Sequence, residues 1–236
     1  MDHQFLYSQK HSTNPYFFKQ IHARLTMHPS DLDVHFRPAQ GIHEAQAIYS
    51  IEQSLLYTAQ DYQDNSAKVR EKKTHEGFVI GNHSPSQLKA WMTHAHNRIM
   101  VGTVRSAKES PEKIFGFAVI LGEDSIIEQV QGYATEVHFE IESVKETIQT
   151  GNFMYLIQIG IDQPYQNQGL GSQLFQTCLE GINSPVISFV IQSPLKNLPS
   201  LYTHLKNGFR YFGTYTGNYG QFPNYQSYGL IHYPDS

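Results

Sequence analysis

One cysteine in 236 residues excludes an intrachain disulfide, and it equally excludes a metal knuckle built from cysteine thiolates. Charge is also scarce. Charged residues make up 16% of the chain, 17 basic against 21 acidic for a net −4, which argues against a strong electrostatic grip on nucleic acid. No window approaches the roughly 18 uninterrupted apolar residues of a membrane span. The opening MDHQFLYSQK lacks the basic start and apolar run of a signal peptide. These absences predict a soluble, cytoplasmic protein with neither membrane nor nucleic acid as a partner.

What is present is apolar and aromatic. Hydrophobic residues reach 39% and aromatics 13%, enough for a substantial core. The 13 histidines are scattered, and only His94 and His96 come close together. On a helix that spacing points to different faces, and no third ligand follows at short range, so no metal site is expected.

Residues 1–31 show no sustained periodicity and read as an N-terminal extension. Residues 33–37 alternate as a strand, and Ala45, Ile48, Ile51 and Leu55 then recur at helical spacing. Residues 58–76 look like a solvated helix end or loop. Ser84 or Ser86 caps a helix to about His96, with Leu88 and Trp91 inward. Residues 98–105 and 113–121 form an antiparallel hairpin with a long connection. In the stretch 122–152, Val137, Ile141, Val144 and Ile148 fit a helix better than a strand. FMYLIQIGI, residues 153–161, is almost continuously apolar and predicts a central strand buried on both faces. A turn, a helix from about Gly171 to Ile182, a strand over 185–192, a helix near 198–206 and two final strands complete the chain. Mixed strand and helix order without a linker predicts one α/β domain over 32–236, with an insert at about 122–152.

The junction after the central strand carries the chemistry. IQIGIDQPYQNQGLGSQL runs from an apolar strand through a glycine-bearing turn straight into a helix. A helix start leaves amides unpaired and carries partial positive charge, and glycines let the main chain approach an anion closely. The arrangement suits a pyrophosphate. No G-x-x-x-x-G-K-[ST] occurs, which excludes a P-loop, and the third glycine of a dinucleotide fingerprint is missing.

Gln166-Asn167-Gln168-Gly169-Leu170-Gly171 resembles the [RQ]-x-x-G-x-[GA] acetyl-CoA motif of the GCN5-related N-acetyltransferase (GNAT) superfamily. The flanks are similar too: 32–39 with its following helix, Glu76–Gly81 with Ser84–Trp91, the run Ile114–Val119, and Leu201–Phe209. The resemblance implies a mixed, mostly antiparallel sheet flanked by helices, with a splayed central strand pair. It implies pantetheine pairing with the main chain of Ile159, Gly160 and Ile161, and an Ile161 amide that polarises the thioester carbonyl. Backbone N–H groups of Gln166, Asn167, Gln168, Gly169, Leu170, Gly171 and Ser172 would hold the pyrophosphate. Tyr202 matches the tyrosine that protonates the leaving thiolate, although two extra residues separate it from Gly208. Asn197 matches a CoA-contacting asparagine.

The resemblance thus implies an acetyl-CoA-dependent N-acetyltransferase acting on a primary amine of a small molecule, peptide or protein, as a monomer or homodimer. The alternative is an acyl-CoA-binding or regulatory module with little turnover, because no acid occurs between Gly151 and Ile161 to act as a base. Glu76, His138, Glu140 and Glu142 are the other candidates for that role. Asp162 is expected to cap the turn, and Cys178 to pack as a small buried hydrophobe. Seven of the 15 tyrosines fall in the last 35 residues. They are expected to seal the domain, with a tyrosine-lined pocket for a cation or flat ring as the other reading.

Overall fold

The computed structural model describes residues 33–64, 67–106, 109–219 and 222–234. The expected extension 1–31 lies outside the described residues. Eight strands form one sheet: β1 (Asp33–Pro38), β2 (Arg98–Ser106), β3 (Glu109–Leu121), β4 (Val137–Phe139), β5 (Met154–Ile161), β6 (Val186–Ser193), β7 (Arg210–Tyr219) and β8 (Phe222–His232). Their order is β1-β2-β3-β5-β6-β8-β7-β4. Every neighbouring pair is antiparallel except β5 and β6, which run parallel. The α/β class and the mostly antiparallel sheet are therefore as expected.

Helices α1 (Gly41–Leu55), α2 (Ala59–Gln63), α3 (Ala67–Glu76) and α4 (Pro85–Met92) precede β2, and α5 (Asp124–Ala134) and α6 (Glu142–Thr150) flank β4. Helices α7 (Leu170–Leu179) and α8 (Leu198–Lys206) flank β6. Strand β3 shows why the sheet needs helices on both sides. Phe117, Val119 and Leu121 face α1 and α4, where they meet Ile48, Leu88 and Trp91. The intervening Ala118 and Ile120 face α7, with Leu174, Phe175 and Cys178. A strand buried on both faces reads as a continuous apolar run. Truncating a fully buried residue such as Leu174 to alanine costs about 2–5 kcal/mol.

Several local expectations need correction. Residues 137–139 are a strand, not the start of a helix, because Val137 and Phe139 pair with Tyr215 and Gly213 on β7. Only Val144 and Ile148 keep the helical face, on α6. Residues 59–63 and 67–76 are two helices, the first closed by a capping box between Thr58 and Asp61. The β2–β3 strands extend through most of the expected long connection. Strand β5 is not buried on both faces throughout: Ile157, Ile159 and Ile161 are half-buried, since β5 borders an opening in the sheet.

Candidate functional site

That opening begins where β5 leaves β6. The two strands pair only at Met154↔Val186 and Tyr155↔Ile187. Beyond this point β5 stays on β3 as far as Gly116↔Ile161, whereas β6 stays on β8 as far as Ser193↔Gln226. The splayed pair is thus present. On β5 the register steps from Gln158 to Leu156 while β3 advances by one, a bulge at Ile157 just past the parting point.

Hydrogen-bond parity fixes which amides face the wedge. The Asp162 amide donates to the Phe115 carbonyl at 2.8 Å, making Asp162 and Gly160 the residues bonded to β3. Ile159 and Ile161, one step out of phase, direct their N–H and C=O groups towards the space that β6 has left.

The loop after β5 is braced internally. Gln166 Nε2 donates to the Ile161 carbonyl at 2.9 Å, and Gln168 Nε2 donates to the Pro164 carbonyl at 2.9 Å. Asn167 has φ 61° and Gly169 φ 79°, the latter at the N-cap of α7 without a side-chain cap. The first amides of α7 therefore have no intrahelical partner. A methyl added to Gly169 would meet nothing within 4 Å, so the loop is open there to a ligand.

A groove of about 290 Å³ joins the wedge to this loop. It brings together ten of the residues expected at the site: Ile159, Gly160, Ile161, Gln166, Asn167, Gly169, Gly171, Ser172, Asn197 and Tyr202. The side chains of two others turn away, Gln168 onto Pro164 and Leu170 into a buried contact with Phe115. Tyr202 is 65% exposed at the rim. Asn197 is buried, and its side chain is spent on structure. It donates to the Phe78 carbonyl at 2.7 Å and accepts the Ser200 amide at 3.3 Å, which caps α8. Asp162 makes no side-chain cap; its carboxylate lies 3.8 Å from Lys113 Nζ.

The family model described as "Acetyltransferase (GNAT) family" matches residues 67–209. This chain belongs to the GNAT family. The match carries the general class, acetyl transfer. Among solved structures, the chain is similar to yncA from Salmonella typhimurium, solved with its cofactor acetyl-CoA, at TM-score 0.52 and 11% identity over 86% of this chain and 94% of that one. It is also similar to Arabidopsis thaliana NAA60 in complex with a bisubstrate analogue, at TM-score 0.50 and 16% identity over 86% of this chain and 99% of that one. At such identities the likeness speaks for the fold alone. A search of curated proteins returns no match.

Within this GNAT chain a second cavity, of about 150 Å³, continues the wedge on its other side and shares Phe78, Val79, Ile159, Asn197 and Ser200 with the groove. Tyr133, Tyr155, Tyr215, Tyr219 and Tyr225 line it. The terminal tyrosines thus both seal the core and wall a pocket. Burial pushes the hydroxyls of Tyr155, Tyr215, Tyr219 and Tyr225 upward, which keeps them neutral. His204 also lines the cavity; burial lowers it to about 4, so its ring is neutral. Its Nδ1–H then donates to the Ser200 carbonyl at 2.7 Å, and Nε2 accepts from Ser188 Oγ at 3.1 Å.

The sequence reading missed His75 and Lys206 on the groove, and Glu52, His83 and Gln158 about the cavity. His83 Nδ1 lies 2.8 Å from Glu52 Oε1, and the His83 amide donates to Glu52 Oε2 at 3.0 Å. The signal available was a carboxylate on the apolar face of α1, one position after Ile51. Of the bases considered earlier, Glu76 lines the groove and accepts from Gln163 at 3.3 Å. His138 belongs to β4, Glu140 and Glu142 follow it directly, and three strands separate β4 from β5. No group of three or more metal-ligating residues occurs among the described residues. None of their helices is long and apolar enough to cross a membrane. Cys178 is buried, and desolvation pushes its thiol up to about 12.

Proposed function

We propose that this chain is an N-acetyltransferase that transfers the acetyl group of acetyl-CoA to a primary amine by direct attack in a ternary complex. One domain, residues 32–236, carries the reaction. The observation that supports it is the parting of β5 from β6, which leaves a strand edge unpaired directly above a helix N-terminus. The residues present suit the cosubstrate. Ile159 and the Ile161 amide offer main-chain groups to an extended amide-bearing chain such as pantetheine, while Gln166 occupies the Ile161 carbonyl. Amides from Gln166 to Ser172, with the dipole of α7, suit a pyrophosphate, and Lys206 on the groove supplies positive charge.

In this reading the Ile161 N–H polarises the thioester carbonyl and stabilises the oxyanion that develops on it. Tyr202 protonates the departing thiolate. Asn197 serves indirectly, by fixing the Gly77–Gly81 segment against the start of α8.

Titration calorimetry with acetyl-CoA, followed by thiol release over a panel of primary amines, tests the proposal. Acetyl-CoA binding together with amine-dependent release of CoA is the expected result. Binding with no turnover across the panel would instead identify an acyl-CoA-binding module, a reading favoured by the absence of any carboxylate on β5. No binding at all would overturn the wedge assignment.

A further inference from the structure

The tyrosine-walled cavity offers an unusual set of polar groups. Among the described residues lining it there is no Asp, Glu, Lys or Arg. Gln158 is 9% exposed, donates its Nε2 to the Gly81 carbonyl at 3.3 Å, and leaves its Oε1 buried without a partner. A buried carbonyl oxygen in that state loses its hydration without recovering a hydrogen bond, so it favours a ligand bearing N–H.

His83 lies two residues from Gly81 and lines the same cavity, its ring 4.9 Å from that of Trp91. Glu52 is fully buried behind it and takes both the ring Nδ1–H and the main-chain N–H of His83. This arrangement fixes the tautomer and leaves the Nε2 lone pair as a proton acceptor. The titratable groups around the cavity are Glu52 on α1, Tyr133 on α5, Tyr155 on β5, Tyr215 and Tyr219 on β7, Tyr225 on β8 and His204 on α8. The mutually packed tyrosine wall includes Tyr219 stacked on Tyr225 at 5.1 Å. Aromatic faces attract an ammonium and accept a flat ring, but they supply no counter-ion for a carboxylate. A cavity of about 150 Å³ holds roughly one benzene-sized ring.

We infer that this cavity is the acceptor subsite for a small primary amine carried on a single flat ring without a carboxylate, its nitrogen held by Gln158 Oε1 and deprotonated by His83. The inference rests on the acetyl-transfer reading above and names the acceptor class for that same site. A bound ammonium gives one proton to His83 Nε2, which passes it to water. The neutral nitrogen forms the C–N bond to the thioester carbonyl carbon, and the C–S bond breaks. The thiolate leaves with the proton of Tyr202, and the proton lost by the new amide nitrogen returns the tyrosinate to neutrality by way of water. Glu52 positions the imidazole without touching the amine.

The test compares 2-phenylethylamine with phenylalanine, which differs by one carboxylate, and with a lysine-containing peptide, using the full chain. The expected result is a kcat/KM for phenylethylamine roughly 100-fold above phenylalanine, the cost of leaving an ion buried and unpaired, and well above the peptide, whose lysine brings no flat ring to the cavity. In H83Q, kcat should fall by roughly 100-fold and the rise of kcat with pH should disappear, with acetyl-CoA affinity unchanged. E52Q should shift that pH profile, which a merely structural carboxylate would leave in place. Equal or better use of phenylalanine or the peptide, or an H83Q enzyme with unaltered kcat and profile, overturns the inference. Retained acetyl-CoA binding would confine such a failure to the acceptor subsite, whereas lost binding in the unmodified protein would take the acetyl-transfer reading with it.

Discussion

Gln166 Nε2 donates to the main-chain carbonyl of Ile161 over 2.9 Å, so the first residue of the glycine motif is fastened to the end of the strand it follows. It occupies a wedge-facing carbonyl and sets the loop's exit angle. In Gln166→Ala that bond is lost, worth about 0.5–1.5 kcal/mol. Calorimetry should show acetyl-CoA affinity weakened by roughly 2- to 10-fold, with the melting temperature lowered by about 2–4 °C. Full affinity in this variant would remove the brace from the account of the site.

The two loop glycines differ in what they tolerate. Gly169 has φ 79° and open space around it, so Gly169→Ala should destabilise by about 1–2 kcal/mol through backbone strain alone. Gly169→Glu adds a negative charge at the helix start and should abolish acetyl-CoA binding. Gly171 has no positive φ, and an added methyl would sit 3.4 Å from Ile161, so Gly171→Ala should fold normally. Denaturant melts and calorimetry on the three variants check this ordering.

Tyr202 is exposed on α8 and packs too little to matter for stability. Tyr202→Phe should lower kcat while leaving the acetyl-CoA Kd and the melting temperature intact. Unchanged turnover in steady-state kinetics would end the acid role.

Asn197 caps α8 and ties it to Phe78, both through one buried amide. Asn197→Ala should cost about 1–3 kcal/mol, since a cap is lost and a buried carbonyl is orphaned. A lower melting temperature, with the far-ultraviolet spectrum preserved, is the expected observation.

His204 is held neutral at about 4, below the value near 6.5 that it regains on unfolding. Between those values the unfolded chain binds more protons, so stability falls as pH drops from about 6.5 towards 4 and is full above that window. The contribution is up to roughly 3 kcal/mol. Urea melts of the protein and of His204→Gln between pH 4 and 7 should show a shallower acid loss in the variant.

The sequence by itself determined the elements whose signals are local. Residues 98–105 and 113–121 read as an antiparallel hairpin, and Ala45, Ile48, Ile51 and Leu55 as an inward helix face, as the structure has them. QNQGLG told of a loop feeding a helix, because glycine placement and amide geometry are matters of neighbouring residues. Tertiary structure decided the rest. Val137 carries a helical period together with Ile141 and Val144, yet pairing with β7 draws it and Phe139 into a strand. Asn197 lines the groove as expected, but that its amide also bridges α8 and Phe78, 119 residues away in sequence, is a tertiary relation. Glu52, His83 and Gln158 went unnoticed for the same reason: they come from a helix, a loop and a bulged strand that meet only when the sheet parts. A dyad or a pocket is a relation between distant segments, fixed by how the strands pair and where they separate, and no spacing along the chain encodes it.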